Sequence, residues 1–501
     1  MDSESNPLLE SDRLPASPVA VSGRRRQTRL YACIYSLFFL DCFSGFLLDV
    51  PLLQLLERTI CWRGVERHAL LLPGGAPVLC RSPAVQREVA IITGFKGAFD
   101  SIPALLTAWI YGSLADRIGR RPILLLSFAG LYLHLLWILF VCYQKETLPT
   151  RLVWVASVFL VLGGGHKVFV SMLYTMLSDS TSGKISGRIY TLSVIKMLSS
   201  TITPLVSGFL MTLNLWTPFK LAIALSSLCF PIILLVPETW TAVPRASWPP
   251  DEPACPQEGS TVRDLNEPAT VPAAMTAPAV ELNRALGHTA TYILRLIRKG
   301  LSIFSHQSSL SALLAVYLTH SFATSNTLIL PQYGAERLQW ELHETTKLLS
   351  IKYGITLLIT SVLVPVVATK MQQGSGITPR FLNLRIARAC LCCSTVGYAC
   401  IATATNPVWF LIGLVCCAIG EGVEPASLTL VALSAPMNVK AKVFVTVGIL
   451  DTIGVMLGRP AMAAFYSVGL RGDQALLGLP FAVSAFLLSI AVALAFIRVL
   501  A

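Results

Sequence analysis

Gly112-Ser113-Leu114-Ala115-Asp116-Arg117-Ile118-Gly119-Arg120-Arg121-Pro122 is a charged, glycine-punctuated turn between two long apolar runs. Runs of that length read as helices that cross a bilayer, whose hydrocarbon core takes about 20 apolar residues per span. A short turn dense in arginine between two such helices is expected on the cytoplasmic face, where basic loops are retained. The stretch thus predicts both a polytopic fold and its orientation.

Working outward, composition agrees. Hydrophobic residues make up 54% of the 501-residue chain and charged residues 13%, with a mean hydropathy of +0.65. A soluble domain carries about 25% charged residues, so the missing charge implies a surface facing lipid. The net charge of +12 would suit a nucleic-acid binder, but its placement argues otherwise. Arg24, Arg25, Arg26 and Arg29 precede the first apolar run, and Lys184, Arg188, Arg380, Arg385, Arg388, Lys440 and Lys442 fall in later loops that alternate to the same side as the opening turn. This is a positive-inside pattern with both termini cytoplasmic. The loop between the first two runs departs from it, with Arg58, Arg63, Arg67, Arg81 and Arg87 set against Glu57, Glu66 and Glu88. The bilayer, not nucleic acid, is the expected partner.

The predicted fold is an all-α integral membrane protein: twelve transmembrane helices in two pseudo-symmetric six-helix bundles. Residues 1–29 read as a disordered cytoplasmic tail, and the acidic, polar start predicts no cleavable signal peptide. Residues 30–239 form the first bundle, with spans near 30–56, 88–111, 123–143, 152–178, 189–213 and 217–236. Residues 240–308 form a cytoplasmic linker, rich in Pro, Ala and acidic residues and ending in a basic amphipathic helix around Tyr292–Lys299. Residues 309–501 form the second bundle, with spans near 309–332, 346–368, 385–403, 407–434, 442–467 and 475–498. Placing Leu177-Ser178 on Leu433-Ser434 also superposes Lys184 on Lys440 and Gly164 on Gly420, as internal repeats would.

Enzyme signatures are missing from the sequence: it has no phosphate-binding glycine loop, no paired-cysteine zinc pattern and no nucleophile elbow. No organic cofactor or metal is expected. Cys61 and Cys80 both fall in the loop between spans 1 and 2. An oxidising exterior would join them, and two free thiols are the alternative. Cys390, Cys392, Cys393, Cys400, Cys416 and Cys417 lie within spans without partner histidines and read as small packing residues.

Ionisable groups inside spans are costly and so mark function. A rise of 1.5 Å per residue puts Asp41 about 16 Å and Asp49 about 28 Å from the cytoplasmic end of span 1, and Asp100 about 18 Å and Lys96 about 24 Å from that end of span 2. Lys96 and Asp100 share a helical face. The expectation is one charge cluster between spans 1 and 2, with Lys96 serving Asp100, Asp49 and Asp41. Gly163-Gly164-Gly165 in span 4 allow close packing or local unwinding beside His166 and Lys167, which sit about 17 Å deep. His166 titrates in a useful range. Lys167 either meets an anionic substrate or pairs with Asp41 or Asp100. Glu421 and Glu424 lie three residues apart beside Gly420, Gly422 and Pro425 in span 10, as proton or gating groups. His320 and Asp451 are lone mid-span groups.

The opening turn resembles the loop signature of the major facilitator superfamily, Gly-x-Leu-Ala-Asp-Arg-x-Gly-Arg-Arg between the second and third helices, and Pro237-Glu238-Thr239 resembles an ending often seen on its sixth helix. Gln54-Leu55-Leu56-Glu57-Arg58-Thr59-Ile60-Cys61-Trp62 and Gly478-Leu479-Pro480-Phe481 look like fungal members encoded beside secondary-metabolite pathways, distantly similar to tetracycline exporters and proton-coupled folate carriers. The resemblance covers nearly all the chain except the tail and residues 240–285. It implies a monomeric alternating-access carrier of a small molecule, with the proton gradient as coupling ion. It also implies a gate built from Gly112, Asp116, Arg117, Gly119, Arg120 and Arg121. There Asp116 pairs across the two halves in the outward-open state, the arginines bind carboxylates and helix C-termini, and Asp179 with Arg188 forms a second charged set. Exporters often carry Gly-Pro-x-x-Gly-Gly in the fifth helix. Thr203-Pro204-Leu205-Val206-Ser207-Gly208 keeps the Pro and one Gly. The expected function is proton-coupled efflux, with a proton-coupled uptake permease or a non-transporting sensor as alternatives. Glu4-Ser5-Asn6-Pro7-Leu8-Leu9 fits an acidic dileucine pattern, which would send the carrier to a vacuolar or endosomal membrane, and the plasma membrane is the alternative.

Overall fold

The computed structural model describes residues 18–68, 82–180, 185–238, 308–363, 366, 370, 378–434, 440–472 and 474–497. The dileucine stretch, the helix expected at Tyr292–Lys299, most of the expected linker and Cys80 lie outside the described residues. The described chain is helical, and eleven of its helices are long and apolar enough to cross a membrane. A twelfth crossing, span 4, runs from Thr150 to Asp179 and is interrupted. It is a 3-10 helix over Thr150–Val155, a short α-helix over Ala156–Phe159, turns, and then an α-helix over Gly165–Asp179.

The cause of the interruption is local. Gly163, Gly164 and Gly165 have φ of +83°, +78° and +67°, a left-handed conformation that side chains resist. The triplet therefore unwinds the helix, one of the two behaviours expected of it. Span 10 breaks similarly, with an α-helix over Pro407–Gly420, a turn at Glu421–Gly422 and a second helix over Val423–Ser434. Span 7 passes from Ser308–Ala323 through a 3-10 turn to Ile329–Leu338. Span 1 corrects an expectation: its helix extends over Pro18–His68, so residues 18–29 are helical rather than a disordered tail.

Outward faces carry Phe209, Leu213, Leu228, Leu358, Val396, Val408, Phe486 and Ile497, all well exposed, as a lipid-facing surface requires. Inside, the apolar packing separates the two ends of the molecule. At the end away from the 112–122 turn, one continuous cluster joins both halves, with Val50, Leu56, Val89, Ile92 and Met211 of the first and Tyr333, Leu348, Met462 and Tyr466 of the second. At the end bearing the turn, the halves keep separate cores. One is built around Ile34, Ile123, Phe169 and Met176, and the other around Leu314, Tyr317, Ala426 and Leu430. The protein is thus sealed at the far end and divided at the turn end.

Close backbone approach makes the seal. A Cβ on Gly94 of span 2 would lie 2.6 Å from Cβ of Ala463 and 3.0 Å from the carbonyl of Arg459, both in span 11. Gly97 likewise accommodates the Arg459 side chain, and Gly208 of span 5 the Thr346 hydroxyl of span 8. Only glycine permits these separations. Gly94→Leu is expected to pry the far end open at a cost of about 1–3 kcal/mol. The readout is labelling of an Ala463→Cys reporter by a membrane-impermeant maleimide, which should rise several-fold in the Gly94→Leu background. Unchanged labelling would show that the seal lies elsewhere.

Candidate functional site: a charged cleft between two helical halves

The opening turn is anchored within its own half. The backbone N–H groups of Arg120 and Arg121 begin the third helix and donate to the two carboxylate oxygens of Glu238 at 3.1 and 3.0 Å. A carboxylate there neutralises the positive end of the helix dipole and satisfies orphan N–H groups. Gly119 holds φ of +97°, and a Cβ on it would sit 2.9 Å from Glu238 Oε2, so glycine is required twice over. Arg120 pairs with Asp179, and the Arg121 guanidinium donates to the Leu234 carbonyl at the end of span 6. Arg188 lies over the Tyr31 ring, 3.5 Å from its centroid. Asp116 and Arg117 are exposed, and Asp116 has no ion pair among the described residues. That fits a structure whose halves are apart at this end.

Deeper in, the expected single cluster of spans 1 and 2 divides into separate groups. Lys96 binds Asp100 at 2.7 Å, as their spacing predicts. Asp100 also accepts from Ser157 at 2.6 Å and meets His134 Nε2 at 3.1 Å, tying spans 2, 3 and 4 together. Asp41 belongs elsewhere: its Oδ2 lies 3.3 Å from His166 Nδ1 of span 4, close but not aligned for a hydrogen bond. Asp49 stands between the fields of Arg459 and Lys96 without a direct ion pair to either.

Lys167 pairs with neither Asp41 nor Asp100. Its Nζ reaches across to Asp451 Oδ2 in span 11, at 3.2 Å. Asp451, expected to stand alone, also accepts from Ser321 of span 7. Just after the unwound triplet, Lys167 thus reaches the opposite half while His166 meets Asp41 of its own. Lys167 remains 60% exposed at mid-span, so the space it crosses is open to solvent. The other half supplies Lys352 of span 8, only 6% exposed and 2.9 Å from Glu421 Oε1 at the break in span 10. Lys352 Nζ also lies 5.5 Å from the Tyr353 ring centroid. Glu424, one turn on, is exposed to the cleft. His320 is buried, and its Nε2 has no hydrogen-bond partner among the described residues.

Two helical bundles, sealed at one end and divided at the other around mid-depth charges, form a carrier's architecture. The sequence profile of the Major Facilitator Superfamily matches residues 89–459. The chain belongs to that superfamily. Among its members, the MFS transporter SAT21 of Stachybotrys chartarum is 25% identical over 465 residues, covering 92% of this chain and 95% of the relative. The MFS efflux pump atnC of Emericella nidulans is 26% identical over 500 residues, covering 96% and 90%. Of solved superfamily folds, the human organic anion transporter MFSD10 (TETRAN) superposes with a TM-score of 0.58 at 17% identity, covering 94% of this chain and 99% of that one. A D-xylose–proton symporter superposes with a TM-score of 0.57 at 12% identity, covering 92% and 96%. The chain is therefore a multi-pass membrane transporter of this superfamily and not an enzyme.

Several site residues escaped the sequence reading: Lys352, Lys196, His134, Arg459 and the role of Glu238. Each of the first four is a single charge or histidine in an apolar run, so the depth rule applied to the carboxylates marks them equally. Among the described residues no group of three or more His, Cys, Asp or Glu is placed to hold a metal ion. Cys61 is buried and disulfide-bonded, while its expected partner Cys80 lies outside the described residues.

Removing one member of a buried ion pair strands the other. Lys352→Met is expected to lower stability by about 3–5 kcal/mol, and adding Glu421→Gln to recover most of it. Thermal melting of the detergent-purified single and double variants measures this, and strictly additive losses would deny the coupling.

Proposed function

We propose that this protein is a proton-coupled efflux carrier for a small organic molecule, acting by alternating access as a monomer without an organic cofactor. The observation that carries the reading is the Lys167–Asp451 pair. It joins the halves across an open cleft at mid-depth, between a sealed far end and a divided turn end. A contact of that kind must break or re-form when the halves rock, so a proton on Asp451 or a substrate charge at Lys167 biases the two states. Asp41 beside His166, and Glu421 with Lys352, supply further carboxylates at mid-depth.

Basic loops support a cytoplasmic turn end, which makes this the inward-facing form. Efflux is supported by relatives such as atnC and the Aspergillus flavus efflux pump ustT, and a fungal secondary metabolite is the cargo they suggest. Uptake is favoured by one specific observation. Span 5 lacks two glycines of the exporter pattern, and its remaining Gly208 is committed to packing on Thr346. The carrier resides in the plasma membrane or, if Leu8 and Leu9 direct sorting, in a vacuolar or endosomal one. A fluorescent fusion with both leucines changed to alanine reads this out.

Flux in proteoliposomes with an imposed pH gradient tests the mechanism. A gradient should drive substrate against its concentration, and Asp451→Asn should abolish uphill movement while leaving downhill exchange. Asp116→Asn should leave the protein in the membrane without turnover. Equal uphill flux by Asp451→Asn would end the coupling assignment. Binding without any flux would favour a sensor.

A further inference from the structure

When the mid-depth charges are matched with partners, one opposed couple is left over. Asp41 meets His166, Lys167 meets Asp451, Lys352 meets Glu421, and Lys96 meets Asp100. Asp49 and Arg459 also lack a direct pair, but Arg459 is packed on Gly97 within the far-end seal. Lys196 in span 5 and Glu424 in span 10 have no ion pair or hydrogen bond among the described residues, and both are exposed.

These two belong to opposite halves and face the same cleft. Lys196 lies in the helix Ile185–Leu213 and Glu424 in the helix Val423–Ser434. The helical rise puts each about 16 Å from the turn end, the level of Asp41, His166, Lys167 and Asp451. Lys196 is the foremost cation acting on Glu424, yet the two stand too far apart for an ion pair. The other charges within reach of Glu424 are Lys167, Glu421 and Asp451, and the first and last of these bind each other while Glu421 binds Lys352. Nearby, Met197 packs its sulfur against the Thr360 hydroxyl at 3.1 Å, fixing span 5 on span 8. Phe46 and Tyr353 approach across the halves, 6.1 Å between ring centroids, and give the cleft an aromatic wall.

Rocking the halves together on this side expels the water that now solvates both groups, and a charge in a dry, low-dielectric site needs a counter-charge. In the empty carrier Lys196 and Glu424 can close on each other. With cargo between them they are held apart, and a neutral molecule would strand both. From this we infer that the cargo is a zwitterion, an amino-acid-derived or peptide-like molecule whose carboxylate is held by Lys196 and whose protonated amine is held by Glu424. The aromatic wall takes its apolar body. The inference rests on the alternating-access reading and names the substrate class of the same cleft.

Four congeners on one scaffold test it: the dipeptide Phe-Phe, its N-acetyl form, its C-terminal amide, and the N-acetyl amide, which are zwitterion, anion, cation and neutral molecule in turn. Affinity is measured by ligand-dependent melting of the full-length purified protein. Phe-Phe should bind about tenfold or more tightly than each of the others, since each charge-assisted contact contributes at least that factor. In Lys196→Gln the amide should match Phe-Phe, in Glu424→Gln the N-acetyl form should match it, and Lys196→Arg should restore the parental order. Equal binding of all four overturns the inference. So does strongest binding of the N-acetyl form, which would mean an anionic cargo with a proton on Glu424, or binding by none. Because binding is read without a gradient, failure of proton-driven flux with zwitterion preference intact would count only against the coupling mechanism.

Discussion

Charge held at mid-membrane depth is the constraint on which the rest of this structure depends. An ion removed from water is tolerated only beside an opposite charge, a set of hydrogen bonds, or a water-filled space. Most of the mid-depth groups here meet one of those conditions, while buried His320 has no hydrogen-bond partner at Nε2 among the described residues. Asp100 is enclosed by Lys96, His134 and Ser157. Lys352 and Glu421 lie against each other. Lys167, His166, Lys196 and Glu424 remain wet. The first group is complete within one bundle and welds spans 2, 3 and 4 into a unit. The wet groups face the boundary between bundles. The chain thus carries enclosed charge within one bundle and solvated charge between the two.

Glycine supplies the complementary constraint. At the far end Gly94, Gly97 and Gly208 let spans 2 and 11, and spans 5 and 8, approach to backbone contact. In span 4 the left-handed triplet does something different, ending one helical segment and starting another at Gly165. His166 and Lys167 stand in the first turn of that second helix, where neighbours point about 100° apart, so His166 meets Asp41 of span 1 while Lys167 reaches Asp451 of span 11.

The legible and illegible parts of this site divide along a physical line. Helix rise converts sequence position into depth, so Asp41, His166, Lys167, Glu424 and Asp451 share a level that residue counting recovers. The i,i+4 pair of Lys96 and Asp100 needs only its own helix, and it is present. Which helix faces which is not written in any single span. For Lys167 the sequence offers an anionic substrate or a pairing with Asp41 or Asp100 of its own half, while Asp451 of the other half holds it. Lys352 and Arg459 were legible as single basic residues in apolar runs, whereas their contacts across the bundle, to Glu421 and to Gly97, were not. The superfamily turn was legible because its chemistry is local, yet Glu238, its main ligand, lies over a hundred residues away.

That ligand changes how the turn works. Glu238 caps the third helix and, with Asp179, engages Arg120 and Arg121, so the glycine-arginine part of the motif is satisfied inside the first half. Asp116 sits at the end of the preceding helix, exposed and outside this network. A carboxylate near a helix C-terminus opposes the local dipole, so its position favours any state that offers it a cation or an N-terminal N–H group. Separated halves offer neither at this end. A state that brought a cation of the second half against the turn would satisfy this carboxylate, and that gain would exist only in the closed arrangement. The turn is then a rigid platform carrying one dissatisfied carboxylate, which is the simplest way for a local motif to favour a global state.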